Sequence, residues 1–154
     1  MESILYYREK ELVGLRSLKR DDLENYRDIL DDQKVTEFLE MGEQPTTDKI
    51  LEKTYFEANQ SPDNIVFAVE IKKTKSFIGT AGLYLFNWVA RRAQFRILLK
   101  NYNDSNKGIG TETTKLIVEY GFKRLNLELI YLGVNEKNTQ AIRVYEKSGF
   151  INEG

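Results

Sequence analysis

The chain has 154 residues, 41% of them hydrophobic and 31% charged, with a formal net charge of -1. That length fits one domain with a genuine core, and the balanced charge offers no basic field, so nucleic acid is not an expected partner. With no Cys and no His, a thiol nucleophile, a Ser-His or Cys-His triad and almost every zinc arrangement are excluded, and no metal site is expected.

Proton transfer then falls to carboxylates, Tyr, Lys or ordered water, which favours direct attack of an acceptor on an already activated donor. No run approaches the length of a membrane-spanning helix, and the start MESILYYREK lacks the layout of a signal peptide. The expected location is therefore the cytoplasm, with no membrane partner.

In chain order, Leu12 to Ser17 alternates as a strand, and Arg20, Asp21 and Asp22 open a helix running to about Asp31. Acidic residues in a first turn complement the helix dipole, so Asp21 and Asp22 read as structural. Gln33 to Gly42 is a short helix or an irregular segment, and Pro45, Thr46 and Thr47 start another helix with Ile50, Leu51, Thr54, Tyr55 and Ala58 on one face. The turn SPDN at 61–64 leads into a strand, Ile65 to Ile71, and a hairpin to the next, Phe77 to Phe86. Ala93 to Leu99 follows as a strand after the loop Asn87 to Arg92.

The stretch Asn103 to Phe122, NDSNKGIGTETTKLIVEYGF, is a loop feeding a helix, with Gly108 and Gly110 at the junction and Ile109, Leu116, Ile117 and Tyr120 at helical spacing. Glycines there let a ligand approach the backbone, and the first helical turn offers unpaired N–H groups to an anion. A Walker loop would need Lys and then Ser or Thr after Gly110, where Thr111 and Glu112 stand. A dinucleotide fingerprint would need a third glycine at Thr113. Two glycines at an ordinary helix start remain an alternative at this point.

Leu127 to Val134 reads as a strand buried on both sheet faces, parallel to 93–99 across the intervening helix. A ligand then belongs at the carboxyl ends of that pair. Asn138 and Gly149 bound a last helix, Thr139 to Ser148, as its caps.

The glycine loop together with VNEKNTQAIRVYEKSGF at Val134 to Phe150 resembles the GNAT superfamily of acetyl-CoA-dependent N-acetyltransferases. NWVARRAQF at Asn87 to Phe95 and the spacing Asn138, Ala141, Tyr145, Gly149, Phe150 are similar to the branch with ribosomal-protein and spermidine acetyltransferases. The resemblance implies an α+β fold in one domain over 1–154. It would be a mixed, mostly antiparallel sheet with flanking helices and a parallel, splayed strand pair, its C-terminal hairpin incomplete because the sequence stops at Gly154.

It further implies that the backbone of Lys107, Gly108, Ile109, Gly110 and Thr111 binds the CoA pyrophosphate, and that the pantetheine arm pairs near Ile97, Leu98 and Leu99. Asn138 would contact that arm, and Tyr145 would be the general acid beside the sulfur. A Tyr hydroxyl, with an ordinary pKa of about 10, suits a departing thiolate; spacing alone would make Tyr145 a packed aromatic on an amphipathic helix.

Three departures accompany the likeness. Ser105 stands where the family usually has Gln or Arg, Gln94 where many relatives carry Glu, and the chain lacks the last strand or two. A base would be Glu70, Glu37 or water. Either the chain is shortened, or another segment or a second protomer, in a homodimer, covers the open sheet edge.

The expected activity is direct acetyl transfer from acetyl-CoA to a primary amine: a protein N-terminus, a polyamine or another small amine. Trp88 and the acidic stretches Asp21 to Asp32 and Glu37 to Glu43 are candidates for shaping a site for a cationic acceptor. A catalytically inactive CoA-binding module is the alternative.

Overall fold

A computed structural model describes residues 6–39, 44–100 and 108–153. Among them six strands lie in one sheet in chain order: β1 (Arg8–Glu9), β2 (Val13–Arg16), β3 (Ile65–Ile71), β4 (Ser76–Asn87), β5 (Arg92–Leu99) and β6 (Leu129–Tyr131). All neighbours pair antiparallel except β5 and β6, which are parallel. Four helices flank the sheet: α1 (Leu23–Leu30), α2 (Asp48–Asn59), α3 (Ile109–Glu119) and α4 (Thr139–Lys147). This is the expected mixed, mostly antiparallel architecture with a parallel pair.

Side-chain alternation divides the core in two. Leu15, Phe67, Val69, Ala81, Leu83 and Phe95 pack with Ile109, Leu116, Ile117 and Tyr120 of the α3 segment. Ala68 and Leu98, with Leu18, pack against Leu23, Tyr26 and Leu30 of α1 and Leu51 of α2. Thr47 caps α2 by accepting from the Ile50 N–H at 3.3 Å, as a Thr before a helix should. The α3 helix ends in a wider turn, Tyr120–Arg124, where Gly121 leaves room for Ile130 and Leu83.

Of the two readings for Gln33 to Gly42, the irregular one holds over its described part, Gln33 to Leu39, which contains turns and no helix. Two other sequence readings change. Strand β1 was not foreseen; two residues are too short for any periodicity to register. The run 127–134 forms a strand only at Leu129–Tyr131, and it is not buried on both faces: Leu129 is 42% and Tyr131 37% exposed. An apolar run is ambiguous between a central and an edge strand, and here β6 is the last strand of the sheet.

The α1 face is tied to the sheet by a buried ion cluster. Arg16 on β2 donates from Nε to Glu70 Oε2 at 2.6 Å, and from Nη1 and Nη2 to both carboxylate oxygens of Asp22 at 2.8 and 3.0 Å. Asp22 also accepts from the Lys19 N–H, and Tyr6 donates to Glu70 Oε1 at 2.7 Å. Burial and the neighbouring Glu70 push the Tyr6 hydroxyl up to about 12. Its ring lies against Gly14, where a Cβ would meet it at 2.4 Å. Asp22 is thus structural, as its position in a first turn implied. Arg16→Ala would strand two buried carboxylates and should cost about 3–5 kcal/mol of folding stability; urea unfolding measures it, and a loss under 1 kcal/mol would contradict this assignment.

Candidate active site

Strands β5 and β6 stay together for only three residues, Arg92 to Gln94 against Leu129 to Tyr131. Beyond that point β5 continues to Leu99 along β4, while the chain after Tyr131 leaves the sheet. The bonding alternation of β5 follows from its two sides. The Arg91 carbonyl accepts from Glu128 N–H on the β6 side, and Lys100 N–H donates to Ile78 on the β4 side. Odd-numbered residues therefore turn their backbone groups toward β6 and even-numbered ones toward β4. Past the parting, the N–H and C=O of Ile97 and Leu99 face the gap, whereas those of Leu98 are directed to β4.

The gap is the floor of a cleft of about 790 Å³. Ile97, Leu98 and Leu99 form one wall and Gly133, Val134 and Asn135 the other. Gly108, Ile109, Gly110 and Thr111 close one end, and α4 lies along it with Asn138, Ala141 and Tyr145. The residues expected to hold the donor that fall among the described ones, Ile97 to Leu99, Gly108 to Thr111, Asn138 and Tyr145, all line this cleft. Lys107 and Ser105 lie outside the described residues.

The start of α3 explains its two glycines separately. Gly108 is the N-cap with φ of +87°, in the left-handed region, so a side chain there would be strained. Gly110 needs no such exemption: a Cβ would sit 3.8 Å from Val144, an ordinary contact. The first intrahelical bond is Glu112 N–H to Gly108 C=O at 2.8 Å. The N–H groups of Ile109, Gly110 and Thr111 precede it, and no side chain among the described residues caps them. Thr113 and Thr114 donate to the Ile109 and Gly110 carbonyls, so neither hydroxyl competes for those N–H groups. Such a terminus suits an anion by both hydrogen bonding and dipole.

Asn138 caps α4, its Oδ1 accepting from Ala141 N–H at 3.2 Å. The amide nitrogen remains for another partner. Tyr145 combines the two readings its spacing allowed. Its ring packs edge-on against Phe95 and Phe150 at about 6 Å, and its hydroxyl makes no hydrogen bond among the described residues while lining the cleft. Burial pushes that hydroxyl above its ordinary value.

The candidate bases and acceptor residues fare differently. Glu70 is 3% exposed and held by Arg16 and Tyr6, away from the cleft. Glu37 is exposed on the segment whose Val35, Phe38 and Leu39 cover the cleft, and Glu40 and Glu43 lie outside the described residues. Gln94 accepts from Arg96 Nε at 2.7 Å. Trp88 stacks on Phe86 at the β4–β5 hairpin tip, with rings 4.2 Å apart, and does not line the cleft.

Asp21, Asn25, Asp28 and Asp32 lie at helical spacing and line a second groove, which meets the cleft at Lys100. Sequence reasoning missed Phe38 and Leu39, whose approach no local pattern announces. It also missed the stripe Gln140, Arg143, Val144 and Lys147 on α4, which the spacing i, i+3, i+4, i+7 would have revealed.

The sequence profile of the acetyltransferase (GNAT) domain matches residues 13–151. The chain is 34% identical over 143 residues to a spermidine N(1)-acetyltransferase of Escherichia coli K12, covering 92% of this chain and 74% of that one. Its fold is similar to the crystal structure of spermidine N-acetyltransferase from Vibrio cholerae in complex with CoA and spermine. The TM-score there is 0.79 at 29% identity, covering 93% of this chain and 83% of the other. A GNAT acetyltransferase from Bacillus anthracis shares the fold at a TM-score of 0.79 and 20% identity, over 95% and 84% of the chains. With its parted strand pair, its uncapped glycine turn and a profile match over nearly its whole length, the chain belongs to the GNAT family and is an acetyl-CoA-dependent N-acetyltransferase.

Proposed function

We propose that residues 1–154 act as one acetyltransferase domain that transfers an acetyl group to a primary amine of a polyamine. The observation that carries this reading is the single cleft in which an uncapped helix start, the open backbone of Ile97 and Leu99, Asn138 and the Tyr145 hydroxyl converge. Two features favour a polyamine over other amines. The relatives above act on spermidine or bind spermine, and the adjoining groove is lined by Asp21, Asp22, Asp28 and Asp32 together with Arg16, Lys75 and Lys100. Several carboxylates spaced along one groove match a flexible polycation.

Acetyl-CoA supplies an acetyl group already activated as a thioester. The residues of this chain would hold it by its parts: the N–H groups of Ile109, Gly110 and Thr111 take the pyrophosphate, and the backbone of Ile97 and Leu99 pairs with the amides of the pantetheine arm. Asn138 Nδ2 donates to the same arm. The open strand N–H groups also stabilise negative charge on the carbonyl oxygen as the amine attacks. Tyr145 gives its proton to the departing sulfur.

The described residues lining the cleft include no carboxylate, and water is a candidate to take the amine proton. The β6 edge would be covered in a homodimer, and the cytoplasm is the compartment this reading implies.

The direct test is release of CoA from acetyl-CoA with spermidine or spermine as acceptor, against an N-terminal peptide amine and an amino sugar. Turnover with polyamines at least tenfold above the others is expected; a peptide preference would move the acceptor class.

Gly110→Ala separates the ligand role from the fold. Its Cβ has room, and Ala favours a helix by up to about 1 kcal/mol over Gly, so thermal stability should hold or rise. The KM for acetyl-CoA should nevertheless climb about tenfold as the methyl group blocks approach to the turn.

Tyr145→Phe should lower kcat about 100-fold with acetyl-CoA affinity unchanged. Because burial raises its pKa, Tyr145 keeps its proton beyond the ordinary value of about 10, and wild-type kcat should fall only above that pH. A variant with wild-type kcat would remove Tyr145 as the acid.

A further inference from the structure

The helix α4 presents two stripes to the cleft. Asn138, Ala141 and Tyr145 form one. The other is Gln140, Arg143, Val144 and Lys147, and its Val144 lies against the start of α3, with its methyl groups 3.8 and 3.9 Å from the position a Cβ would take at Gly110. Arg143 and Lys147 therefore flank the turn that offers its N–H groups to an anion.

Neither side chain makes an ion pair or a hydrogen bond with another described residue. The charged residues lining the cleft, among those described, are Lys100, Arg143 and Lys147, all cationic. A cleft wall whose described charges share one sign concentrates a polyanion.

Acetyl-CoA has more negative charge than the α3 turn can absorb. Its pyrophosphate occupies the N–H groups of the first helical turn, which leaves the 3′-phosphate on the adenosine ribose, close to a dianion at neutral pH, without a counter-charge. We propose that Arg143 and Lys147 bind this 3′-phosphate and make the enzyme select acetyl-CoA over its 3′-dephospho form. Arg143 supplies a planar fork of donors for two phosphate oxygens, and Lys147, one turn later, supplies a compact charge on the same side. The inference rests on the reading of the cleft as the acetyl-CoA site and adds to it the group that discriminates between donors.

The test compares acetyl-CoA with acetyl-3′-dephospho-CoA as donors for the wild type, for Arg143→Gln/Lys147→Gln, and for Lys137→Gln as a control that removes a positive charge outside the cleft wall. Binding of CoA and dephospho-CoA to each protein is measured alongside by titration calorimetry. Gln preserves helix propensity and much of the side-chain length.

The wild type should favour acetyl-CoA in kcat/KM by at least tenfold, a magnitude ordinary for hydrogen bonds between charged groups. In the double variant the ratio should fall to within about twofold of unity, through a rise in KM for acetyl-CoA alone, while Lys137→Gln keeps the wild-type ratio. A double variant that still discriminates as the wild type does, or a wild type that binds both forms equally, would overturn the assignment and leave the acetyl-CoA site intact. Failure of the wild type to bind either form would overturn both.

Discussion

The site depends on the parting of β5 and β6 after three paired residues. A parallel pair held along its full length would satisfy the backbone of Ile97 and Leu99 internally and leave nothing for a ligand. Because β5 goes on alone, two residues of strand backbone face a gap, and unmade backbone hydrogen bonds are groups that need partners. The crossover through α3 then brings the uncapped start of a helix to the end of that gap, since the helix must begin where β5 has just finished. One topological event therefore creates both the slot for an extended amide chain and the cradle for its phosphates.

Two devices brace the sheet, one at β5 and one at β2 and β3. On the α3 side, Tyr145 and Phe150 pack with Phe95, so the last helix is wedged onto β5 below the opening. On the α1 side, Arg16 joins Glu70 of β3 to Asp22 at the head of α1. Close backbone contact within the sheet adds rigidity: at Gly79, a Cβ would meet the Leu98 carbonyl at 2.0 Å, so β4 supports the strand that lines the cleft without an intervening side chain. A site built on strand and helix backbone is positioned more tightly than one built on loops.

The chemistry follows from what the cleft contains and what the composition withholds. No His or Cys exists in the sequence, and the cleft lining among described residues has cations, amides and one phenol but no carboxylate. Such a wall binds an anionic donor and offers a proton donor; it does not build a covalent relay. The acidic side chains Asp21, Asp28 and Asp32 lie instead along the neighbouring groove.

The sequence by itself determined the local elements and the chemical classes open to them. Strand 65–71, the β3–β4 hairpin, the α3 face of Ile109, Leu116, Ile117 and Tyr120, and the Asn138 cap all follow from short-range rules of period, turn and capping, and each is found where those rules put it. The motif spacing from Asn138 to Phe150 pointed to the family. Tertiary structure decided what depends on contacts between distant segments. It placed Glu70 in a buried cluster with Arg16, made β6 a short exposed edge, and brought Phe38 and Leu39 over a cleft whose other walls come from residues 97–99 and 133–145. It also separated the two glycines, one required by a left-handed backbone and one with room for a side chain. Local pattern reports which face of an element is apolar, but only the packed fold decides what stands opposite that face.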